Sequence, residues 1–316
     1  MSGPPVVQGA SRSRPQVVAV MGPTASGKTQ LAVALAQRLG AELVNADSRQ
    51  AVQELSVGVG KPTSAELQGI FCHGLDWSHL GEPFSAAEYR ARASGCIEEV
   101  AGRGHPAVVV GGTGLYVRSL LAGFDFGGVP PDRAWRLAAG GGEESEHPTA
   151  AALGRAHPEW GARVDLGNPR RVIRQAELSR AGARAGHRPP PWSVTKLGCR
   201  VGPEQLRTRI EARSDQLMDA ALRGEVESLL DRGFPAEVLA RAGIGYAEAL
   251  AWLQGRCERS AAVTRVVART WRYARAQMTW LRSEPDLVWV DAEAGPTAAV
   301  EQCLIAIGDV EASRER

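Results

Sequence analysis

The chain has 316 residues, 44% of them hydrophobic, and a formal net charge of +2. That is enough apolar material for one large domain or two ordinary ones, and the near-neutral charge leaves an RNA partner open. No segment approaches 18 consecutive apolar residues, which excludes a membrane-spanning helix and points to a soluble, cytoplasmic protein. Five scattered cysteines without a C-x-x-C pair argue for free thiols, and six histidines without zinc spacing argue against a structural metal.

Residues 1–14 are rich in Gly, Pro, Ser and Arg and are expected to be a disordered leader. A short apolar run, Val17 to Met21, then reads as a buried parallel strand. It runs into Gly22-Pro23-Thr24-Ala25-Ser26-Gly27-Lys28-Thr29, which matches the phosphate-loop pattern G-x-x-x-x-G-K-[ST]. A helix follows, with Leu31, Val33, Ala34, Leu35 and Leu39 at helical spacing and Gly40 as its stop. In this order of elements, backbone N–H groups and a helix N-terminus cradle phosphate oxygens. Lys28 then reaches the terminal phosphates and the Thr29 hydroxyl ligates Mg²⁺. The chain has three lysines against 34 arginines, so the lysine in the loop stands against a strong compositional bias. Either a nucleotide such as ATP or a diphosphate would suit the loop.

The next short strand, Ala41 to Ala46, ends at Asp47. In a doubly wound α/β sheet the ligand crevice lies beyond the carboxyl ends of the strands, which puts Asp47 in the cavity of the phosphate loop. There it accepts a proton from, or orients, a substrate hydroxyl or amine, unless it serves only as a helix cap. Ser85 to Glu88 is a capping box that opens a helix running to about Arg103. The strand Pro106 to Val110 ends in Gly111-Gly112-Thr113-Gly114-Leu115-Tyr116 rather than in the carboxylate that many nucleotide hydrolases place there.

From about Gly123 to Pro191 the composition shifts toward Gly, Pro, Arg and Glu, with a low-complexity patch at 138–146 expected to be a flexible turn. Helices are expected near 149–157 and 169–181. Arg136, Arg170, Arg171 and Arg174 give this stretch the basic density for phosphate contact, or else a solvated charged face. Further on, Arg209 and Arg213 lie four residues apart and share a helix face. Arg265, Arg269 and Arg272 do so again, with Tyr273 and Trp280 among them as core aromatics or stacking platforms.

Three motifs in this order, GPTASGKT, then Asp47-Ser48-Arg49-Gln50, then GGTGLY, resemble the tRNA dimethylallyltransferases. Later segments agree: Asn168 to Arg174, Arg209 to Arg213, Ile244-Gly245-Tyr246, and Arg272 to Trp280. The resemblance covers about residues 16–291. It implies a P-loop α/β core with a parallel sheet over 15–122 and 195–316, an inserted small all-helical domain over 123–194 that grips the tRNA anticodon stem, and a helical C-terminal part. It implies transfer of a dimethylallyl group from dimethylallyl diphosphate to the N6 amine of the adenosine on the 3′ side of the anticodon, with Mg²⁺ as cofactor. By the same resemblance Thr24 and Arg213 join Asp47 in the reaction. Asp47, Ser48, Arg49, Gln50, Thr113, Arg136, Arg170, Arg171 and Arg174 meet the tRNA. The chain departs from the family pattern at Val52 and Val59, where hydroxyl-bearing Tyr and Thr are usual. A P-loop small-molecule kinase and a catalytically weak tRNA-binding paralogue are the competing readings, and a monomer is expected.

Overall fold

The computed structural model describes residues 15–138 and 148–315; the proposed leader and most of the glycine-rich patch lie outside them. The chain divides into two compact units, one formed by the segments on either side of the other, which spans Ala122–Pro189.

In the larger unit, β1 (Gln16–Met21) is buried almost throughout, which is why it reads as an uninterrupted apolar run rather than an alternating one. Helix α1 (Lys28–Leu39) buries Leu31, Ala32, Val33, Leu35 and Ala36 and stops at Gly40, whose φ of 61° forms a left-handed cap. Then come β2 (Glu42–Asn45), the short α2 (Ser64–Leu67) and β3 (Cys72–His73). Helix α3 (Ala86–Gly102) starts at the predicted box, where Ser85 and Glu88 satisfy each other's backbone N–H groups. The first segment closes with β4 (Ala107–Gly111) and α4 (Gly114–Leu121).

The inserted unit begins with β5 (Phe124–Asp125) and continues with α5 (Arg133–Ala138), α6 (Pro148–Ala156), a 3₁₀ turn at Pro158–Ala162, α7 (Pro169–Arg180) and β6 (Gly186–His187). It is therefore not wholly helical. β5 and β6 pair antiparallel, and the Arg188 N–H donates to the Gly123 carbonyl, so the unit's two ends are laced together. Its small core joins Ala150, Trp160, Val172, Ile173 and Ala176, with Trp135, Leu153, Val164 and Leu166 around them. The boundary also differs from the sequence expectation: residues 190–194 belong to the larger unit. Trp192 is buried, and the Ser193 N–H bonds the Pro15 carbonyl as the next strand starts beside β1.

The second segment of the larger unit supplies β7 (Ser193–Arg200), α8 (Pro203–Leu217), α9 (Ala220–Asp231), α10 (Ala236–Ala242), α11 (Tyr246–Leu253), α12 (Arg259–Arg282), β8 (Leu287–Asp291) and α13 (Pro296–Glu315). The six core strands lie in the order β3-β2-β4-β1-β7-β8, every pairing parallel. β1, which feeds the phosphate loop, is interior. Register sets Met21 beside Gly111 and Asn45 beside Val110, so the carboxyl ends of β1, β4 and β2 finish side by side. That is where an open α/β sheet binds its ligand.

One buried carboxylate organises the inserted unit. Glu177 receives Arg136 at 2.7 Å and Arg174 at 3.0 Å, and the Asp132 N–H at 2.9 Å. Arg174 also donates to the Phe126 and Val129 carbonyls. Burial alone would raise the Glu177 pKa, but these donors hold it below the ordinary carboxylate value. Its contribution is present above the unfolded-state pKa near 4.5 and is lost as pH falls through the lower folded value. In the full chain, Glu177→Gln should destabilise this unit by about 3 kcal/mol. Amide exchange at Val172 and Ile173 should accelerate, and exchange at Val109 should not change.

Candidate active site

The loop after β1 is built by backbone geometry. Ala25 and Gly27 take φ of 62° and 84°, left-handed values that turn successive N–H groups toward one concave surface; only Gly27 does so without a Cβ penalty. Helix α1 begins at Lys28, so its positive end faces the same concavity. The Lys28 Nζ donates to the Pro23 carbonyl at 3.3 Å. Burial pushes its pKa below the ordinary lysine value; the Asp47 carboxylate opposes that shift and the Arg213 guanidinium adds to it. An ammonium held in this way gains most from an incoming anion.

Lys28 and Thr29 line a cavity with Asn45, Asp47, Gln50 and Gly111, and with apolar side chains including Leu43, Leu67 and Cys72. Asp47 is fixed by the buried Asn45, whose Oδ1 accepts the Asp47 N–H at 3.1 Å while its Nδ2 donates to the Asp47 and Gly74 carbonyls, each at 3.1 Å. One carboxylate oxygen of Asp47 accepts the Arg49 N–H at 2.9 Å and closes a local turn; no helix starts there for it to cap. The other oxygen has no hydrogen-bond partner among the described residues and is available to a substrate.

The glycines at the end of β4 exist for closeness. A Cβ on Gly111 would lie 2.3 Å from the Ala46 carbonyl, and one on Gly112 would lie 2.2 Å from the Gln277 amide nitrogen. Gln277, buried on α12, accepts the Thr24 N–H at 2.8 Å and donates to the Gly112 carbonyl at 3.0 Å. It ties the phosphate loop to the end of β4. The Thr113 hydroxyl accepts the Ser48 N–H at 3.0 Å and has the Tyr273 hydroxyl beside it. Tyr273, whose pKa is pushed up to about 12 by burial and the nearby Asp47 charge, is thus part of the site wall although its ring is partly exposed.

Helix α8 brings Arg209 and Arg213 to the loop, as their spacing requires. Arg209 Nη1 donates to the Ser26 carbonyl at 3.4 Å, and Arg213 lies against Gly60 and within electrostatic reach of Lys28. Gln50 donates to the Gly60 carbonyl at 2.8 Å, and Lys61 ties the Val52 carbonyl to Asp76. Val52 and Val59 pack on the apolar cluster of Leu55, Met218, Tyr246 and Leu250, so here those positions fill a core rather than present hydroxyls.

The structure therefore brings Thr24, Lys28, Thr29, Asp47, Ser48, Gln50, Thr113 and Arg213 to one region, with Arg49 exposed at its rim. Arg136 and Arg174, expected to contact phosphate, are engaged with Glu177 and hold the inserted unit together. Arg170 and Arg171 lie on α7 with exposed side chains. Arg269 is likewise paired, with buried Glu248 at 2.6 Å. Sequence reasoning missed Gln277 and Asn45; neither carries charge or motif spacing of its own, and the partners of Gln277 lie 165 and 253 residues away.

A profile of the IPP transferases matches residues 50–284 of this chain. The chain belongs to the IPP transferase family. A tRNA dimethylallyltransferase of Anaeromyxobacter dehalogenans is 38% identical over 291 residues, covering 90% of this chain and 97% of the relative. Among solved structures, the tRNA isopentenylpyrophosphate transferase of Bacillus halodurans superposes with a TM-score of 0.70 at 29% identity, over 95% of this chain and 99% of its own. A eukaryotic dimethylallyltransferase captured acting on tRNA shares the fold, with a TM-score of 0.76 at 22% identity over 95% and 80% of the two chains. Membership in the IPP transferase family agrees with a phosphate loop whose neighbouring strand β4 ends in glycine rather than in a carboxylate.

Replacing Gln277 by Leu removes both contacts at nearly constant volume and leaves the Thr24 N–H and Gly112 carbonyl without their partner. Destabilisation of about 1–3 kcal/mol is expected in denaturant titration. Inorganic diphosphate should bind about tenfold more weakly by calorimetry.

Proposed function

We propose that this chain transfers a dimethylallyl group from dimethylallyl diphosphate to the N6 amine of the adenosine on the 3′ side of a tRNA anticodon, releasing diphosphate. The observation that carries it is the meeting of Lys28 and Asp47 in one cavity, with Arg213 within electrostatic reach of Lys28 and one Asp47 oxygen without a hydrogen-bond partner among the described residues. The loop N–H groups, Lys28 and Arg213 hold the diphosphate. As the allylic C–O bond breaks, its electron pair passes to the diphosphate oxygen, where these fixed donors stabilise the growing charge. The amine lone pair forms the new N–C bond, and the proton it sheds is accepted at Asp47. The Thr24 backbone is anchored by Gln277, and in this reading its hydroxyl joins the diphosphate contacts.

Thr29 lines the same cavity, and its hydroxyl is a hard oxygen that suits Mg²⁺, an ion that takes most of its ligands from water and substrate phosphates. When bound there, Mg²⁺ would supply further neutralisation of the departing diphosphate. On the acceptor side, Ser48, Arg49, Gln50 and Thr113 border the space for the adenosine. Within the inserted unit, considered by itself, the exposed Arg170 and Arg171 of α7 suit an RNA backbone. Among the described residues no helix is long and apolar enough to cross a membrane; the working form we propose is a cytoplasmic monomer.

Labelled dimethylallyl diphosphate, unmodified tRNA and Mg²⁺ without ATP should give label in that adenosine. Asp47→Asn should slow single-turnover transfer by about 10²–10⁴-fold. Unchanged transfer in that variant would remove Asp47 from the chemistry.

Lys28→Met should lower transfer by about 10²–10³-fold and abolish stabilisation by diphosphate in a melting experiment. The pH dependence has a definite sign. A lysine whose folded pKa is depressed costs stability below that pKa, where it is charged, and the cost is relieved as pH rises through it. The ligand-free Met variant should therefore melt higher than the parent at neutral pH. In the parent, stabilisation by diphosphate should shrink as pH rises through the depressed Lys28 value.

A further inference from the structure

The segment between Gln50 and Pro62 carries two groups of the crevice and has almost no regular secondary structure of its own. Gln50 lines the cavity beside Lys28, Thr29 and Asp47, and Gly60 takes φ of 58° with the Arg213 guanidinium against it. A Cβ on Gly60 would lie 2.0 Å from Arg213 Nη2, so the guanidinium lies against this backbone in space that any side chain there would fill. What fixes the segment is a carboxylate on a different helix. Glu225, half-buried on α9, accepts the Ser56 N–H at 3.2 Å and the Tyr246 hydroxyl on Oε1, and the Val57 N–H at 2.5 Å on Oε2.

Tyr246, wholly buried at the start of α11, closes the arrangement from below. Its ring occupies the space a Cβ on Gly58 would need, 2.3 Å away. The turn continues through the Gly60 N–H to the Val57 carbonyl at 3.1 Å and the Lys61 N–H to the Ser56 carbonyl at 3.0 Å. Gln50 then caps the Gly60 carbonyl at 2.8 Å. A carboxylate that receives two backbone N–H groups and a tyrosine hydroxyl is a strong local anchor, because charge-assisted bonds are the strong ones. None of its contacts reaches the reacting groups directly.

We propose that Glu225 is a positioning residue for the diphosphate: with Tyr246 it anchors the 56–60 turn and so seats Arg213 and Gln50 in the crevice. This rests on the function proposed above only in naming the diphosphate as an allylic leaving group; the anchoring itself concerns an anion site. Glu225→Gln keeps the size but replaces one acceptor oxygen with an NH₂ donor. That donor opposes either the Val57 N–H or the Ser56 and Tyr246 donors. Tyr246→Phe removes a single hydroxyl from the same anchor and leaves the packing in place.

The test is a double-mutant cycle between Glu225→Gln and Arg213→Ala, read first by calorimetric binding of inorganic diphosphate and then by transfer kinetics. Diphosphate binding is measurable whether or not the chain is a prenyltransferase, so failure of the functional assignment does not obscure the result. Glu225→Gln alone should weaken diphosphate about tenfold and raise KM for the allylic diphosphate by a similar factor. Tyr246→Phe should shift the same two quantities in the same direction by less. In the Arg213→Ala background Glu225→Gln should cost less than threefold, since the group it positions is gone. Glu227→Gln, which breaks only the half-exposed pair with Arg223, is the control and should leave binding as in the parent. Full tenfold losses in both backgrounds, or unchanged diphosphate binding in Glu225→Gln and Tyr246→Phe, would overturn the proposal.

Discussion

The site depends on how closely three backbones approach at the carboxyl end of the sheet. Gly111 lies where any side chain would strike the Ala46 carbonyl, and Gly112 lies where one would strike Gln277. That closeness brings the end of β4 within one amide's reach of the phosphate loop, and a single buried glutamine joins them. An acidic residue at the end of β4 would have brought its own charge and hydration into this space. Glycine keeps it narrow, so that Lys28 and Asp47 feel each other through a medium of low polarity.

From that constraint the chemistry follows in order. A desolvated ammonium and an arginine held against a loop glycine make a cradle that is costly when empty and favourable when it holds an anion. Asp47 is fixed by Asn45 through its backbone and by the Arg49 N–H at one oxygen, leaving the other oxygen to a substrate. Helix α8, which carries Arg213, and α12, which carries Gln277, also pack into the apolar clusters of the larger unit. Stability and function therefore draw on one scaffold, and the polar groups at the crevice are the part that ligand must complete.

Much of this was legible in the sequence, for identifiable reasons. The phosphate loop is a local backbone device, and its glycines, lysine and threonine stand in the chain as they stand in space. Asp47 was legible because it ends a short apolar strand, and Arg209 and Arg213 because helical spacing puts both on one face. The insert's arginines were only half legible. A basic run shows charge but not its partners, and nothing local announces that Glu177 is buried and takes up Arg136 and Arg174. Gln277, Asn45 and Glu225 were illegible for the same reason, since each works through contacts made only on folding. Val52 and Val59 looked like lost hydroxyls, and their packing against Leu55 and Tyr246 explains why valine is accommodated there.

The central claim is that the cradle takes an allylic diphosphate leaving group rather than a nucleoside triphosphate. Direct competition measures it: calorimetric titration of the full chain, in Mg²⁺, with an unreactive thiolo analogue of dimethylallyl diphosphate and separately with ATP. The analogue should bind at least about tenfold more tightly than ATP, a difference of about 1.4 kcal/mol, and should displace it. ATP binding more tightly, with no displacement by the analogue, would contradict the account and make the chain a kinase-like phosphate-loop enzyme.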